Sequence, residues 1–149
     1  MTRRHTLGVA MTVMALVGVA CGGGDNRPAS GASTATSVTG SCQGIPGLPE
    51  SVADHGRKQA TGSELSVEAG DSFFSPTCFD VRADKVTLVV RNTGSALHNV
   101  SIPEQGIDAD VAGSQAITVA VNLGTTPVPY FCKYHRTSGM FGALLPSGA

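Results

Sequence analysis

Between Ser63 and Leu145 the apolar residues come in seven short runs, each broken by turn residues, and no run sustains a helical period. Glu64–Ala69 alternates Leu65 and Val67 with polar neighbours; Cys78–Arg82 and Lys85–Arg91 follow, the second reading KVTLVVR, a mostly buried strand. Leu97–Ile102, Gln115–Leu123, Val128–Lys133 and Gly139–Leu145 complete the set. Apolar residues at period two, rich in valine and threonine and punctuated by glycine, proline and asparagine, specify strands. This many short strands in so short a stretch predicts an all-β domain, an antiparallel β-sandwich or barrel. No internal repeat is visible.

The chain of 149 residues has room for one such domain and not two. What precedes the strands has a different character. Arg3 and Arg4 form a positive n-region, and the apolar run from Leu7 to Ala20 is too short for the roughly 20 residues of a membrane span. Residues 1–20 therefore read as a signal peptide. Val17-Gly18-Val19-Ala20-Cys21 resembles a bacterial lipobox, although Gly18 stands where that pattern usually has leucine. Cys21 is the expected lipidation site, and its diacylglyceryl group would supply the two chains that lasting attachment requires. Residues 21–41, Gly-, Ser-, Thr- and Ala-rich, cannot bury a core and read as a disordered, flexible N-terminal tether with a mean reach of roughly 25 Å. Residues 42–149 form the folded domain, with the sandwich core at about 63–147. Within it, Cys42–Thr61 carries Pro46, Pro49 and several glycines and predicts a loop with one short helical turn. The expected location is extracytoplasmic, anchored to the cell membrane as a lipoprotein. Charged residues make up only 14% of the chain and the net charge is −1, which leaves no basic field to attract nucleic acid.

The chemistry is concentrated near the C-terminus, in Cys132-Lys133-Tyr134-His135-Arg136-Thr137-Ser138-Gly139-Met140, a C-x₂-H-x₄-M pattern. A further imidazole is offered by His98, in Leu97-His98-Asn99-Val100 at the start of a strand. Taken singly, His98 is a strand-end histidine, Cys132 a buried thiol and Met140 a core filler. Taken together they form a metal-ligand set. A thiolate and a thioether are soft donors suited to Cu(I), and two imidazoles serve both copper states. Two His and one Cys in a plane with a long axial Met is the blue-copper arrangement of electron transfer. Zinc prefers four strong N, S or O donors, and iron–sulfur clusters need more thiolates than the chain can spare. Cys132, His135 and Met140 fit one loop between adjacent strands, whereas His98 must arrive from another strand. The site exists only once the sandwich has folded. His55, in Asp54-His55-Gly56, has no companions at ligand spacing and reads as solvated surface.

Over roughly Phe73 to Leu145 the sequence resembles the cupredoxins, above all the plastocyanin-like and halocyanin-like members. The resemblance rests on Phe74-Ser75-Pro76-Thr77-Cys78-Phe79, on His98-Asn99, and on Tyr130-Phe131-Cys132 with His135 and Met140 following. It implies a Greek-key sandwich with one copper ion near one end, held by His98, Cys132, His135 and Met140. It also implies that Asn99, the residue after the first ligand, bridges the two ligand loops by hydrogen bonds. Phe131 stands where plastocyanins usually carry an aromatic hydroxyl, and Tyr134 where they often carry proline, so the redox partner does not carry over.

Four cysteines then divide without remainder. Cys21 is at the processing site and Cys132 in the metal set. Cys42 and Cys78 are left, in an exported chain where a disulfide is permitted. Such a bond would close a loop of about 37 residues and stabilise by roughly 3–4 kcal/mol; the alternative is two separate buried thiols. The expected function is one-electron transfer, by a blue copper protein, between redox protein partners at the outer membrane face. The chain is expected to be monomeric and not an enzyme, since it offers no open coordination position and no nucleophile–base pair. The alternatives are a module for copper delivery or storage, and a lipoprotein with a structural metal that binds a protein partner.

Overall fold

A computed structural model describes residues 40–147. The expected signal peptide, Cys21 and nearly all of the tether lie outside these residues. The strands are β1 (Arg57–Gln59), β2 (Glu64–Gly70), β3 (Phe73–Ser75), β4 (Cys78–Val81), β5 (Lys85–Asn92), β6 (His98–Ile102), β7 (Ile107–Val111), β8 (Ala116–Asn122), β9 (Val128–Phe131) and β10 (Phe141–Pro146). Two short 3-10 helices, Pro103–Gln105 and Arg136–Ser138, interrupt them.

The strands form two sheets, one of four strands in the order β3-β2-β5-β8 and one of six in the order β1-β4-β10-β9-β6-β7. One apolar cluster lies between them, with Leu65, Val67, Leu88, Val90 and Val121 from the first sheet and Phe79, Val100, Ile102, Tyr130 and Leu144 from the second. This is the sandwich expected from the period-two runs. The pairing differs from a wholly antiparallel one: β2 runs parallel to β5, and β4 runs parallel to both β1 and β10. Parallel neighbours must be joined by a crossover rather than a hairpin. The chain meets that condition, since β3 and β4 intervene between β2 and β5, and five strands intervene between β4 and β10.

The segment before β1 is irregular, as its prolines and glycines predict, but it turns without a helix. The amides of Leu48 and Val52 close turns onto Ile45 and Pro49, and the segment ends in β1. It is no loose appendage. A disulfide joins Cys42 to Cys78 across 36 positions, and Cys42, Ile45 and Leu48 pack with Ala143 and Leu145 in a second apolar cluster. At the far end of this arm Arg57 grips Asp80 through two nitrogens, a bidentate pair on the β1–β4 seam. The arm thus covers the outer face of β4 and β10. That explains why β10 is buried residue after residue, from Phe141 through Leu145, rather than alternately.

Gly142 faces Tyr130 across the β9–β10 pair. A Cβ at Gly142 would run into the phenol ring, so only glycine lets Tyr130 lie flat there and fill the core. The burial of Tyr130 is complete and pushes its phenol well above the ordinary range.

Candidate metal centre

β9 and β10 are antiparallel neighbours, and residues 132–140 form the loop between them. The backbone closes this loop on itself. Cys132 N–H donates to the Met140 carbonyl (3.0 Å), while His135 N–H returns to Cys132 and Met140 N–H to His135, both at 3.2 Å. Gly139 adopts a left-handed φ of 82° as the 3-10 helix ends. A Cβ there would run into the Ser51 carbonyl of the N-terminal arm, and the Gly139 carbonyl accepts Ala53 N–H at 2.9 Å. The loop is therefore clamped from outside as well as within, and Gly139 is required for both its conformation and its close neighbour.

His98 reaches this loop from β6, the strand beside β9. The turn before it is built by Asn92, a buried side chain whose amide donates to the carbonyls of Ala96 (2.7 Å) and Val111 (3.1 Å) while its oxygen accepts Gly94 N–H (2.9 Å). Nothing in the sequence pattern singled Asn92 out.

The structure brings together His98, Cys132 and His135. Their candidate ligand atoms all lie within 4.8 Å of one another. Cys132 Sγ stands 4.0 Å from His98 Nδ1 and 3.5 Å from His135 Nδ1. Donors bound to one ion at about 2.0–2.3 Å and spread by about 120° would be separated by about 3.5–4 Å. The distances and the thiol–imidazole donor set therefore fit a soft or borderline metal ion. Met140 is fully buried in the same cluster as Cys132. Cys132 and His98 are fully buried too, whereas His135 is partly exposed.

Burial and the neighbouring His135 hold the His98 imidazole below its ordinary pKa, with Asp71 opposing weakly. Its Nε2 is buried without a hydrogen-bond partner among the described residues.

Asn99 is fully buried, and its amide donates to Asp108 (2.7 Å) and Asp110 (2.8 Å) on β7 while its oxygen accepts the Ser101 hydroxyl. Those two carboxylates also hold the ligand loop. Lys133 Nζ lies 2.9 Å from Asp108 and 3.0 Å from Asp110, and the Tyr134 hydroxyl donates to Asp110 at 2.9 Å. Pairing with Lys133, then the Asn99 amide, carries both carboxyls below their usual range, and the acids raise Lys133 in return. The sequence reading passed over both acids. The alternation Ile107-Asp108-Ala109-Asp110-Val111 was the available signal, since it places two carboxylates on one face of a strand. His55 is exposed, with its ring stacked on Phe73 at 3.8 Å.

No family model and no curated protein matches the chain. Solved structures do. The metal-binding domain of the Cu(I)-exporting P-type ATPase CopA of Streptococcus pneumoniae, determined with Cu(I), has a TM-score of 0.53 at 8% identity, covering 62% of this chain and 97% of that one. Reduced auracyanin from Roseiflexus castenholzii gives 0.49 at 12% identity, covering 59% and 99%. A purple cupredoxin from Nitrosopumilus maritimus gives 0.44 at 17% identity, covering 56% and 99%. At these identities likeness speaks to fold alone: the chain is a two-sheet β-sandwich similar in fold to that CopA domain. On this sandwich it carries a His–Cys–His cluster at the meeting of β6 with the β9–β10 loop.

Proposed function

We propose that this domain is a one-electron carrier whose copper ion is held by His98, Cys132, His135 and Met140. The observation that carries the reading is the closed cluster of one buried thiol and two imidazole nitrogens within 4.8 Å of one another. A copper ion there would supply a Cu(I)/Cu(II) couple, with the soft thiolate suiting the reduced state, the imidazoles suiting both and the weakly held thioether tuning the balance between them. The chain's part is to hold the donors still. The internal bonds of residues 132–140 and the contact of Gly139 with the arm fix the loop, so little rearrangement accompanies a change of charge. Cys132, His98 and Met140 are kept from water, and His135 alone of the four reaches the surface, which makes its ring edge the shortest route to a partner protein. The redox partners are soluble or membrane proteins, met at the outer face of the membrane.

The test is the absorption spectrum of the full chain after addition of Cu(II). An intense band toward the red, bleached by reductant and absent in Cys132→Ser, is expected from thiolate-to-copper charge transfer. A colourless protein that holds zinc in preference would favour a structural or delivery role instead. We also propose that residues 1–20 are removed on export and that Cys21 is acylated, with residues 21–41 tethering a monomeric domain to the membrane. Among the described residues no helix is long and apolar enough to cross a membrane. Wild-type protein should fractionate with membranes and Cys21→Ser should not; recovery of both in the soluble fraction would contradict the anchor.

A further inference from the structure

We infer that Asp108 and Asp110 of β7 are positioning residues for the metal centre, a carboxylate pair that ties the strand of the first ligand to the loop of the other three. The inference rests on the copper reading and specifies what holds the site's shape. Asn99 directly follows His98, and Lys133 and Tyr134 are the two residues between Cys132 and His135. The Asn99 side chain bonds the two acids rather than Lys133 or Tyr134. The same Oδ1 atoms of Asp108 and Asp110 that accept the Asn99 amide also lie within 2.9–3.0 Å of Lys133 Nζ, and the second oxygen of Asp110 accepts the Tyr134 hydroxyl.

The two ends of this bridge differ in rigidity. Asn99 is fully buried in β6, whose register with β7 is fixed over five residue pairs, including Asn99 opposite Asp110. The acids are therefore held from the sheet side. Lys133 and Tyr134 are exposed, and single exposed ion pairs contribute little. Here one cation meets two carboxylates already oriented by a buried amide, and a hydroxyl adds a third attachment one residue further on. Such a network loses less side-chain entropy on forming than an isolated pair does. Its effect falls on the two-residue span that sets the distance from Cys132 to His135.

Two double variants separate this role from plain electrostatics. Lys133→Met/Tyr134→Phe removes the loop side and leaves Asn99 its acceptors. Asp108→Asn/Asp110→Asn keeps oxygen acceptors for Asn99 and removes the charge that holds Lys133. Hydrogen exchange in the metal-free full chain should show the His135, Ser138 and Met140 amides exchanging about tenfold faster in both variants, with the β5 and β8 amides unchanged. After copper loading, both should broaden the thiolate band and slow electron self-exchange. A merely electrostatic role would move the reduction potential down in the first variant and up in the second, with loop exchange unaltered; that result overturns the inference. A wild-type chain that never develops the thiolate band would remove the copper reading, while the exchange measurement would still decide for or against the bridge.

Discussion

The two sheets of this sandwich obey different rules. In the four-stranded sheet burial alternates along β5 and along β2 as far as Ala69, every second side chain being exposed or half-exposed. In the six-stranded sheet β6 is buried at all five positions and β10 at its first five. The polar residues His98, Asn99, Ser101 and Thr77 are buried on this second side. A sheet with one wet face needs only a hydrophobic pattern to define it. A sheet covered on both faces can desolvate a thiol and an imidazole, but its surroundings must satisfy the polar groups it buries. The N-terminal arm, packed over β4 and β10, and β7, the edge strand beside β6, do so. The arm's Ala53 bonds the ligand loop, and Thr77, beside the disulfide, accepts His55 N–H (2.7 Å) and donates to Phe74 (3.0 Å). The division teaches that one sheet supports and the other carries the chemistry.

The largest expected effect lies in the supporting sheet. Leu88 is fully buried at the centre of β5, and Leu88→Ala should cost about 2–5 kcal/mol by denaturant unfolding. The thiolate band of the surviving folded protein should stay where it was. A shifted band would break the comparison, since it would make the supporting sheet part of the site. The disulfide probes the other side. Cys42→Ser/Cys78→Ser should lower stability by about 3–4 kcal/mol. Because the arm contacts Gly139, exchange at the Met140 amide should also accelerate beyond what the global loss explains. Equal acceleration throughout both sheets would show that the arm merely adds stability.

A smaller effect is set by pH. Burial alone would raise the Asp54 carboxyl, but hydrogen bonds from Ser41, Cys42 and Gly56 carry it below its ordinary value. A lowered folded-state pKa contributes stability above the ordinary carboxylate range and loses it as pH falls through the folded value. Asp54→Asn should therefore lower the Tm slightly at pH 7, with the difference shrinking as pH falls below the ordinary carboxylate range. A constant difference across that range would deny the carboxylate its role in closing the arm.

The same division governs what the sequence made legible. Leu65 and Val67, or Val86, Leu88 and Val90, mark their strands because period-two alternation is a local property. The ligand types and their loop were legible because chemistry demands soft donors close together in the chain. β1 and β3, three residues each, were missed because so short a strand has no period of its own. β7 was missed although Ile107, Ala109 and Val111 alternate with Asp108 and Asp110, because aspartate is depleted in strands and two in five residues masked the pattern. The parallel partnerships of β4 with β1 and β10 follow from which distant strands meet, and no local pattern encodes that. The packing of Ile45 and Leu48 over Ala143 and Leu145 was hidden for the same reason, since a proline-rich stretch reads alike whether it is free or docked.

The central claim is that the ligand loop holds a one-electron copper centre, and the reduction potential of the copper-loaded full chain tests it most directly. Axial donors interact weakly and favour Cu(II) over Cu(I), so they tune the potential more than they hold the ion. Voltammetry should give a reversible one-electron wave, raised in Met140→Leu and lowered in Met140→Gln, which offers a harder oxygen. A difference of roughly 1–3 kcal/mol between oxidation states corresponds to about 40–130 mV. No reversible wave, or potentials unchanged in both variants, would contradict the account.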